Sequence, residues 1–127
     1  MASTLQSCGA IYYASASDGT NQLIVKKSEF LQIRKEKEVM RDFVLVKTDA
    51  MEYPLCLYRM PDDTYTASLL RCTHQGCELN VGGGIYTCPC HGSEFSVMGK
   101  VLEGPADKDL QTFNTKTDNE HIYILRA

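Results

Sequence analysis

The sequence predicts an all-β protein, a small antiparallel sandwich or barrel. Short apolar stretches of strand length recur along the chain, clusters of turn residues separate them, and no stretch shows the sustained apolar period of a long helix. The length of 127 residues, 43% of them hydrophobic, suits one domain with a modest core. We therefore expect several short strands packed into one unit.

The individual elements follow from local composition. The predicted strands cover residues 22–26, 43–46, 55–58, 65–70, 101–102, 111–115 and 121–125. The segment Pro61-Asp62-Asp63-Thr64 is a strong turn signal, so the strands on either side of it should form a hairpin. Residues 118–120 should form the turn between the last two strands. A single helical turn is expected at 28–31, and the charged run 34–38 is expected to be a solvated loop.

The first 20 residues are rich in Ala, Ser, Gly and Thr and show no apolar periodicity. We expect 1–20 to be a flexible N-terminal segment ahead of a domain formed by 21–127. No complete signal peptide is present, because a charged region followed by an apolar one is missing. The stretch Leu5-Gln6-Ser7-Cys8-Gly9 resembles the end of a bacterial lipoprotein signal, in which the cysteine carries a lipid. An ordinary cysteine in a tail is the alternative.

Composition and charge exclude several classes of function. Lys and Arg number 13 against 16 Asp and Glu, so the formal net charge is -3 and nucleic-acid binding is not expected. The longest apolar runs are only a few residues, too short to span a membrane. No Ser/His/Asp set, phosphate loop or paired-carboxylate pattern stands out. The sequence therefore shows no independent catalytic site and leaves open a role as a subunit of an oxidoreductase complex.

Two short segments hold four of the six cysteines and two of the three histidines. They are Arg71-Cys72-Thr73-His74-Gln75-Gly76-Cys77 and Thr87-Cys88-Pro89-Cys90-His91-Gly92-Ser93. We call them the first box and the second box. The glycines of 82–84 and a short strand at 85–86 separate the boxes, so two glycine-bearing loops can converge at one end of the sheet. Two Cys and two His would suit either a structural zinc ion or a [2Fe–2S] centre of mixed ligation.

The two boxes resemble those of Rieske iron–sulfur proteins, and Gly104-Pro105-Ala106 is similar to the proline loop that packs over the cluster in that family. The resemblance runs from Arg71 to the C-terminus. It implies a Rieske-type [2Fe–2S] cofactor held by loops within 71–106. It also implies the ligand set, two cysteines on one iron and two histidines on the other: Cys72, Cys88, His74 and His91.

The resemblance implies further roles around the cluster. Cys77 and Cys90 match the pair that forms a disulfide in proteins similar to the Rieske subunits of cytochrome bc complexes, and a structural disulfide indicates an oxidising compartment. Ser93 is similar in position to a serine of that family whose hydroxyl donates a hydrogen bond to a bridging sulfide of the cluster. Gln75 replaces the apolar Leu usual in bc-type proteins, and Phe95 replaces their usual Tyr. Both departures weaken the likeness to bc complexes without affecting the ligand set.

The implied function is one-electron transfer by an extracytoplasmic protein, periplasmic or membrane-anchored. The chain would be the soluble head or a small subunit of a membrane-associated redox complex, such as a quinol-oxidising one. Two ferric ions, two sulfides, two thiolates and two neutral imidazoles sum to zero charge, so adding an electron is easier than with four thiolates. A cytochrome, an oxidoreductase subunit or a quinol would contact His74 and His91. Membrane association would require an anchor outside this sequence or a lipid on Cys8.

Two alternatives stay open at this point. A soluble Rieske ferredoxin that supplies an oxygenase or reductase would use the same four ligands and would not need the disulfide. A zinc-stabilised interaction domain would use them as a tetrahedral site. Outside the boxes, Cys56 lies in an apolar strand and is expected to be a buried small hydrophobe. His121 has no cysteine nearby and is expected to be a surface or hydrogen-bonded histidine.

Overall fold

The computed structural model describes residues 11–126, which form fourteen short strands and one 3-10 turn at Lys27–Phe30. The strands are β1 Ala16–Gly19, β2 Gln22–Lys26, β3 Leu31–Arg34, β4 Lys37–Met40, β5 Phe43–Val46, β6 Leu55–Arg59, β7 Tyr65–Leu69, β8 Asn80–Gly82, β9 Ile85–Thr87, β10 Glu94–Ser96, β11 Val101–Glu103, β12 Thr112–Phe113, β13 Thr115–Thr117 and β14 His121–Leu125. The all-β prediction is confirmed. No helix within residues 11–126 is long and apolar enough to cross a membrane.

Three four-stranded antiparallel sheets make up the fold. A base sheet has the order β1-β2-β14-β13, a central sheet has the order β12-β7-β6-β5, and a loop-bearing sheet has the order β11-β10-β9-β8. Strands β3 and β4 form a separate hairpin. The loop-bearing sheet carries both boxes at its ends, so this sheet and its connections form the predicted cluster-binding subdomain.

The central sheet is buried on both faces, which explains the unbroken apolar runs in β5 and β6. Successive side chains on a strand point to opposite faces. In β5, Val44 and Val46 therefore pack with the base-sheet side chains, whereas Leu45 packs with those of the loop-bearing sheet. In β6, Cys56 faces the same way as Leu45, its partner across the ladder. The loop-bearing sheet thus rests on a rigid two-sided scaffold.

The expected boundary at residue 21 is wrong for the part of the N-terminal segment that the structure describes. The N–H of Leu45 donates to the carbonyl of Tyr12 at 2.9 Å, and the N–H of Ala14 donates to the carbonyl of Leu45 at 2.8 Å. Strand β1 then pairs with β2 along its whole length. Residues 11–20 consequently belong to the folded domain. The lipoprotein-like stretch around Cys8 lies outside the described residues.

The charged run 34–38 is a hairpin end rather than a loop. Arg34 pairs with Lys37, and the two turn residues Lys35 and Glu36 have φ angles of 53° and 65°. Two successive positive φ values are typical of the type I′ hairpin turn, which favours Asn and Gly. Because neither Asn nor Gly occurs at positions 35 and 36, no turn was predicted there. The other predicted hairpins, β6–β7 and β13–β14, are confirmed.

Candidate metal centre

The two boxes are short turns that close on themselves. In the first box, the N–H of Gly76 donates to the carbonyl of Cys72 and the N–H of Cys72 donates to the carbonyl of Cys77, both at 2.8 Å. In the second box, the N–H of Gly92 donates to the backbone carbonyl of Cys88 at 3.0 Å. Gly76 and Gly92 have φ angles of 77° and 83°, which L side chains rarely adopt. The glycines therefore allow each box to turn tightly.

The structure brings the predicted cysteine pair together in the interior. Cys72 and Cys88 are 1% and 2% exposed, and their thiols lie within hydrogen-bond reach of one another. Burial raises the pKa of the Cys88 thiol, but the N–H groups of Cys90 and His91 and the Cys72 thiol outweigh this effect and lower it. Such donors stabilise a thiolate, the form that binds metals.

The predicted histidine pair lies together at the surface. The imidazole rings of His74 and His91 are 5.2 Å apart between centroids and meet edge to face, with an interplanar angle of 82°. Both residues are exposed. The two sulfur donors therefore form a buried pair and the two imidazoles form an exposed pair, which suits a centre with two cysteines on one iron and two histidines on the other.

The disulfide between Cys77 and Cys90 is present, with the two Cα atoms 6.5 Å apart. It joins the two boxes across a sequence separation of 13. The sulfur atoms of Cys77, Cys88 and Cys90 all lie within 4.8 Å of one another. Because the two disulfide sulfurs are not thiolates, only Cys88 of this group is available as a ligand. The disulfide therefore lies directly beside the predicted cysteine pair and fixes the boxes to each other.

The loop around Gly104-Pro105-Ala106 is hydrogen-bonded to both boxes. The backbone N–H of Ala106 donates to the Ser93 hydroxyl at 3.0 Å, and the Thr73 hydroxyl donates to the carbonyl of Lys108 at 2.7 Å. Gly104 and Pro105 are exposed, whereas Ala106 is buried. The proline loop therefore forms a third wall of the site. The sequence analysis assigned no role to Thr73, although it lies in the first box, and it missed Lys108, which belongs to no recognisable metal-binding pattern.

The donor set and its surroundings fit a [2Fe–2S] cluster. The Ser93 hydroxyl is fully buried, and since it accepts the Ala106 N–H its own proton is left to donate. The carbonyl of Ser93 accepts the N–H of Cys88 at 2.8 Å, so this buried hydroxyl belongs to the turn that carries Cys88, and a buried donor suits a negatively charged sulfur. Phe95 is also fully buried, and it faces Tyr86 across the ladder without a polar group to offer.

The two remaining sequence candidates lie outside the site. Cys56 is fully buried in the central sheet, and burial raises the pKa of its thiol to about 12, an effect that the nearby Tyr86 hydroxyl opposes only in part. His121 lies 3.3 Å from Asp118, between Nδ1 and Oδ1, at the β13–β14 turn. Their expected roles, a small hydrophobe and a hydrogen-bonded histidine, agree with these positions.

The fold and the site define an all-β protein in which two loops bring together a pair of buried cysteines and a pair of exposed histidines. The family model described as Rieske [2Fe-2S] domain matches residues 29–114. The chain belongs to the Rieske [2Fe–2S] family, whose cofactor is a Rieske-type [2Fe–2S] cluster.

Individual relatives agree with this assignment. The chain is 44% identical over 55 residues to the cytochrome b6-f complex iron-sulfur subunit 1 of Nostoc sp. strain PCC 7120, an alignment that covers 42% of this chain and 31% of that protein. It is 42% identical over 53 residues to the corresponding subunit of Synechococcus sp. strain JA-2-3B'a(2-13), which covers 40% of this chain and 31% of the relative. The matches therefore span about a third of these curated relatives.

Solved structures share the architecture. The plasma membrane Rieske protein PetC3 of Synechocystis PCC 6803 is 34% identical with a TM-score of 0.58, and the match covers 65% of this chain and 85% of that one. A Sphingomonas yanoikuyae B1 ferredoxin is 22% identical with a TM-score of 0.53, over 68% of this chain and 86% of the ferredoxin. The second likeness concerns the fold alone.

Proposed function

We propose that the protein transfers single electrons as the soluble head or a small subunit of a membrane-associated redox complex outside the cytoplasm. The observation that carries this proposal is the Cys77–Cys90 disulfide beside the two boxes. A disulfide of this kind persists in oxidising compartments. The similarity to b6-f iron-sulfur subunits, which are parts of cytochrome complexes, supports the same assignment.

The four ligands in this proposal have distinct tasks. Cys72 and Cys88 would hold one iron in the interior, and His74 and His91 would hold the other at the surface. A cluster with this ligation supplies one-electron chemistry at potentials of roughly -150 to +300 mV. The exposed imidazoles would let a redox partner, a cytochrome or an oxidoreductase subunit, approach the centre closely. A quinol could use the same face, by hydrogen bonding to a ring nitrogen.

The second box and the proline loop would tune this centre. Ser93 has a hydroxyl proton to donate from a buried position, and Gly104 and Pro105, which are tied to Ser93 through Ala106, would cover the neighbouring side of the site. Hydrogen bonds to cluster sulfurs favour the reduced state, because that state carries more negative charge. Phe95 would withhold the second donor that a Tyr could provide at this position.

A soluble ferredoxin is the competing function, and the disulfide argues against it. The test is to purify the protein aerobically and to measure iron, acid-labile sulfide, the disulfide and the reduction potential. The expected result is two irons and two sulfides per chain, an intact disulfide and a positive potential. Zinc without sulfide would contradict the cluster. A loaded cluster with both thiols free would contradict the extracytoplasmic assignment.

A further inference from the structure

Tyr53 belongs to neither box, but it links the central sheet to the first box by a hydrogen bond. It lies in the connection between β5 and β6, and its hydroxyl donates to the carbonyl of Gly76 at 2.6 Å. This distance is at the short end of the range for O–H···O hydrogen bonds. The two residues are 23 positions apart, so the bond joins two separate parts of the fold.

Arg71 lies close to both Tyr53 and Gly76. Its guanidinium lies 5.7 Å from the centroid of the Tyr53 ring. A Cβ added to Gly76 would lie only 3.3 Å from Nη2 of Arg71, and the φ angle of Gly76 is +77°. Gly76 therefore lies close to the guanidinium of Arg71 while its carbonyl accepts the Tyr53 hydroxyl, in a conformation that glycine favours.

The hydrogen bond fixes the peptide that leads into the disulfide. The Gly76 carbonyl belongs to the same planar unit as the N–H of Cys77, so restraining one restrains the other. Cys77 is bonded to Cys90, which directly precedes His91. The N–H of Gly76 donates to the carbonyl of Cys72, and this bond closes the turn of the first box, which includes His74. Movement of the Gly76–Cys77 peptide would therefore reach both boxes.

We propose that Tyr53 is a positioning residue, which holds the first box and its disulfide against the central sheet. The consequence for the disulfide needs only the contacts above. The consequence for the reduction potential rests on the proposed ligand role of Cys72 and His74. Tyr53 is not part of any metal-binding pattern, and its position in the β5–β6 connection brings it to the box only through the tertiary fold.

The test compares Tyr53→Phe with Tyr58→Phe. The first variant removes the hydroxyl and keeps the ring beside Arg71. The second is a matched control, because Tyr58 is half-buried, stacks on Phe43 at 5.9 Å and lies toward the end of β6 away from the boxes. Reduction of the disulfide by dithiothreitol is followed in the folded protein, together with thermal unfolding and the reduction potential of the loaded protein.

We expect the disulfide of Tyr53→Phe to be reduced by dithiothreitol about fivefold faster than that of the wild type, which corresponds to the loss of one hydrogen bond. The disulfide of Tyr58→Phe should be reduced at the wild-type rate. The potential should shift in Tyr53→Phe only. An unchanged reduction rate in Tyr53→Phe would overturn the proposal, even if thermal stability fell. Faster reduction with an unchanged potential would support positioning of the disulfide and would count against the ligand role of the first box, so the two failures are distinguishable.

Discussion

The hydroxyl of Ser93 accepts a hydrogen bond from the backbone N–H of Ala106 at 3.0 Å, in the interior of the protein. This bond joins the second box to the proline loop. It occupies a lone pair of the hydroxyl and leaves the proton free to be donated. One side chain therefore holds the loop in place and still has a buried proton to donate.

The first prediction concerns the potential that this donor sets. Ser93→Ala should lower the reduction potential, because the reduced cluster loses a hydrogen bond that strengthens with negative charge. A hydrogen bond to a charged group is worth about 1.5–3 kcal/mol in total, and only its difference between redox states counts. Since about 1.4 kcal/mol corresponds to ~59 mV for one electron, the shift should be tens of millivolts. Voltammetry measures it.

Ser96→Ala is the control for this experiment. The Ser96 hydroxyl also accepts backbone N–H groups, from Met98 and Lys100 at 3.2 Å each, in the β10–β11 turn. It should lose a comparable loop contact without moving the potential. Equal potentials in all three proteins would mean that the Ser93 proton points elsewhere, and the tuning argument would fail.

Phe95→Tyr should change the potential in the opposite direction. The ring is fully buried, so the added hydroxyl needs an acceptor inside the protein. A cysteine sulfur of the loaded centre could provide one, and the potential should then rise by tens of millivolts. In the cluster-free protein the same hydroxyl should cost about 1–3 kcal/mol of unfolding free energy, because it stays unpaired. A potential at or below that of the wild type would contradict this prediction.

The ligand set predicts which substitutions remove the centre. Each of Cys72→Ser, His74→Ala, Cys88→Ser and His91→Ala should abolish the native rhombic EPR signal of the reduced cluster. His121→Ala should preserve it, since His121 contacts Asp118 at the β13–β14 turn. Circular dichroism would verify that each variant keeps its β structure. A variant that retained the native signal would remove its residue from the ligand set.

Removal of the disulfide should affect the site more than the scaffold. In the chain-entropy model, a loop of about 15 residues contributes about 3 kcal/mol to the free energy of unfolding. A Cys77→Ser/Cys90→Ser variant should therefore be less stable and should lose its iron faster on dilution, with the same strand content. Iron release is followed by loss of visible absorbance. Wild-type iron release in this variant would show that the proline-loop contacts suffice to hold the boxes.

Cys56 should be chemically silent in the folded protein. Burial raises the pKa of its thiol to about 12, so the reactive thiolate is scarce at pH 8 and increases only as the pH approaches that value. Alkylation at pH 8, located by peptide mass spectrometry, should leave Cys56 unlabelled until the protein is unfolded. In the unfolded chain its pKa returns toward about 8.5, and labelling becomes fast. Labelling under native conditions at pH 8 would contradict its burial.

The chemistry of this protein follows from the sequence, because it depends on residue types at short spacings. Within each box, thiol and imidazole are so close along the chain that one tight turn presents both. The apolar strands of the central sheet could also be predicted from the sequence, since a sheet buried on both faces needs continuous apolar runs such as 43–46 and 55–58.

Only the tertiary structure decided how the boxes are held. The bond from Tyr53 to Gly76 and the bond from Thr73 to Lys108 join positions 23 and 35 residues apart. Gly76 and Thr73 lie in the first box, but nothing in the local sequence marks Tyr53 or Lys108 as their partners. The hairpin at Lys35 and Glu36 was missed for a related reason, because these residues adopt positive φ angles that their side chains do not favour. Local composition records local preference, whereas contacts between distant segments arise only when the sheets pack.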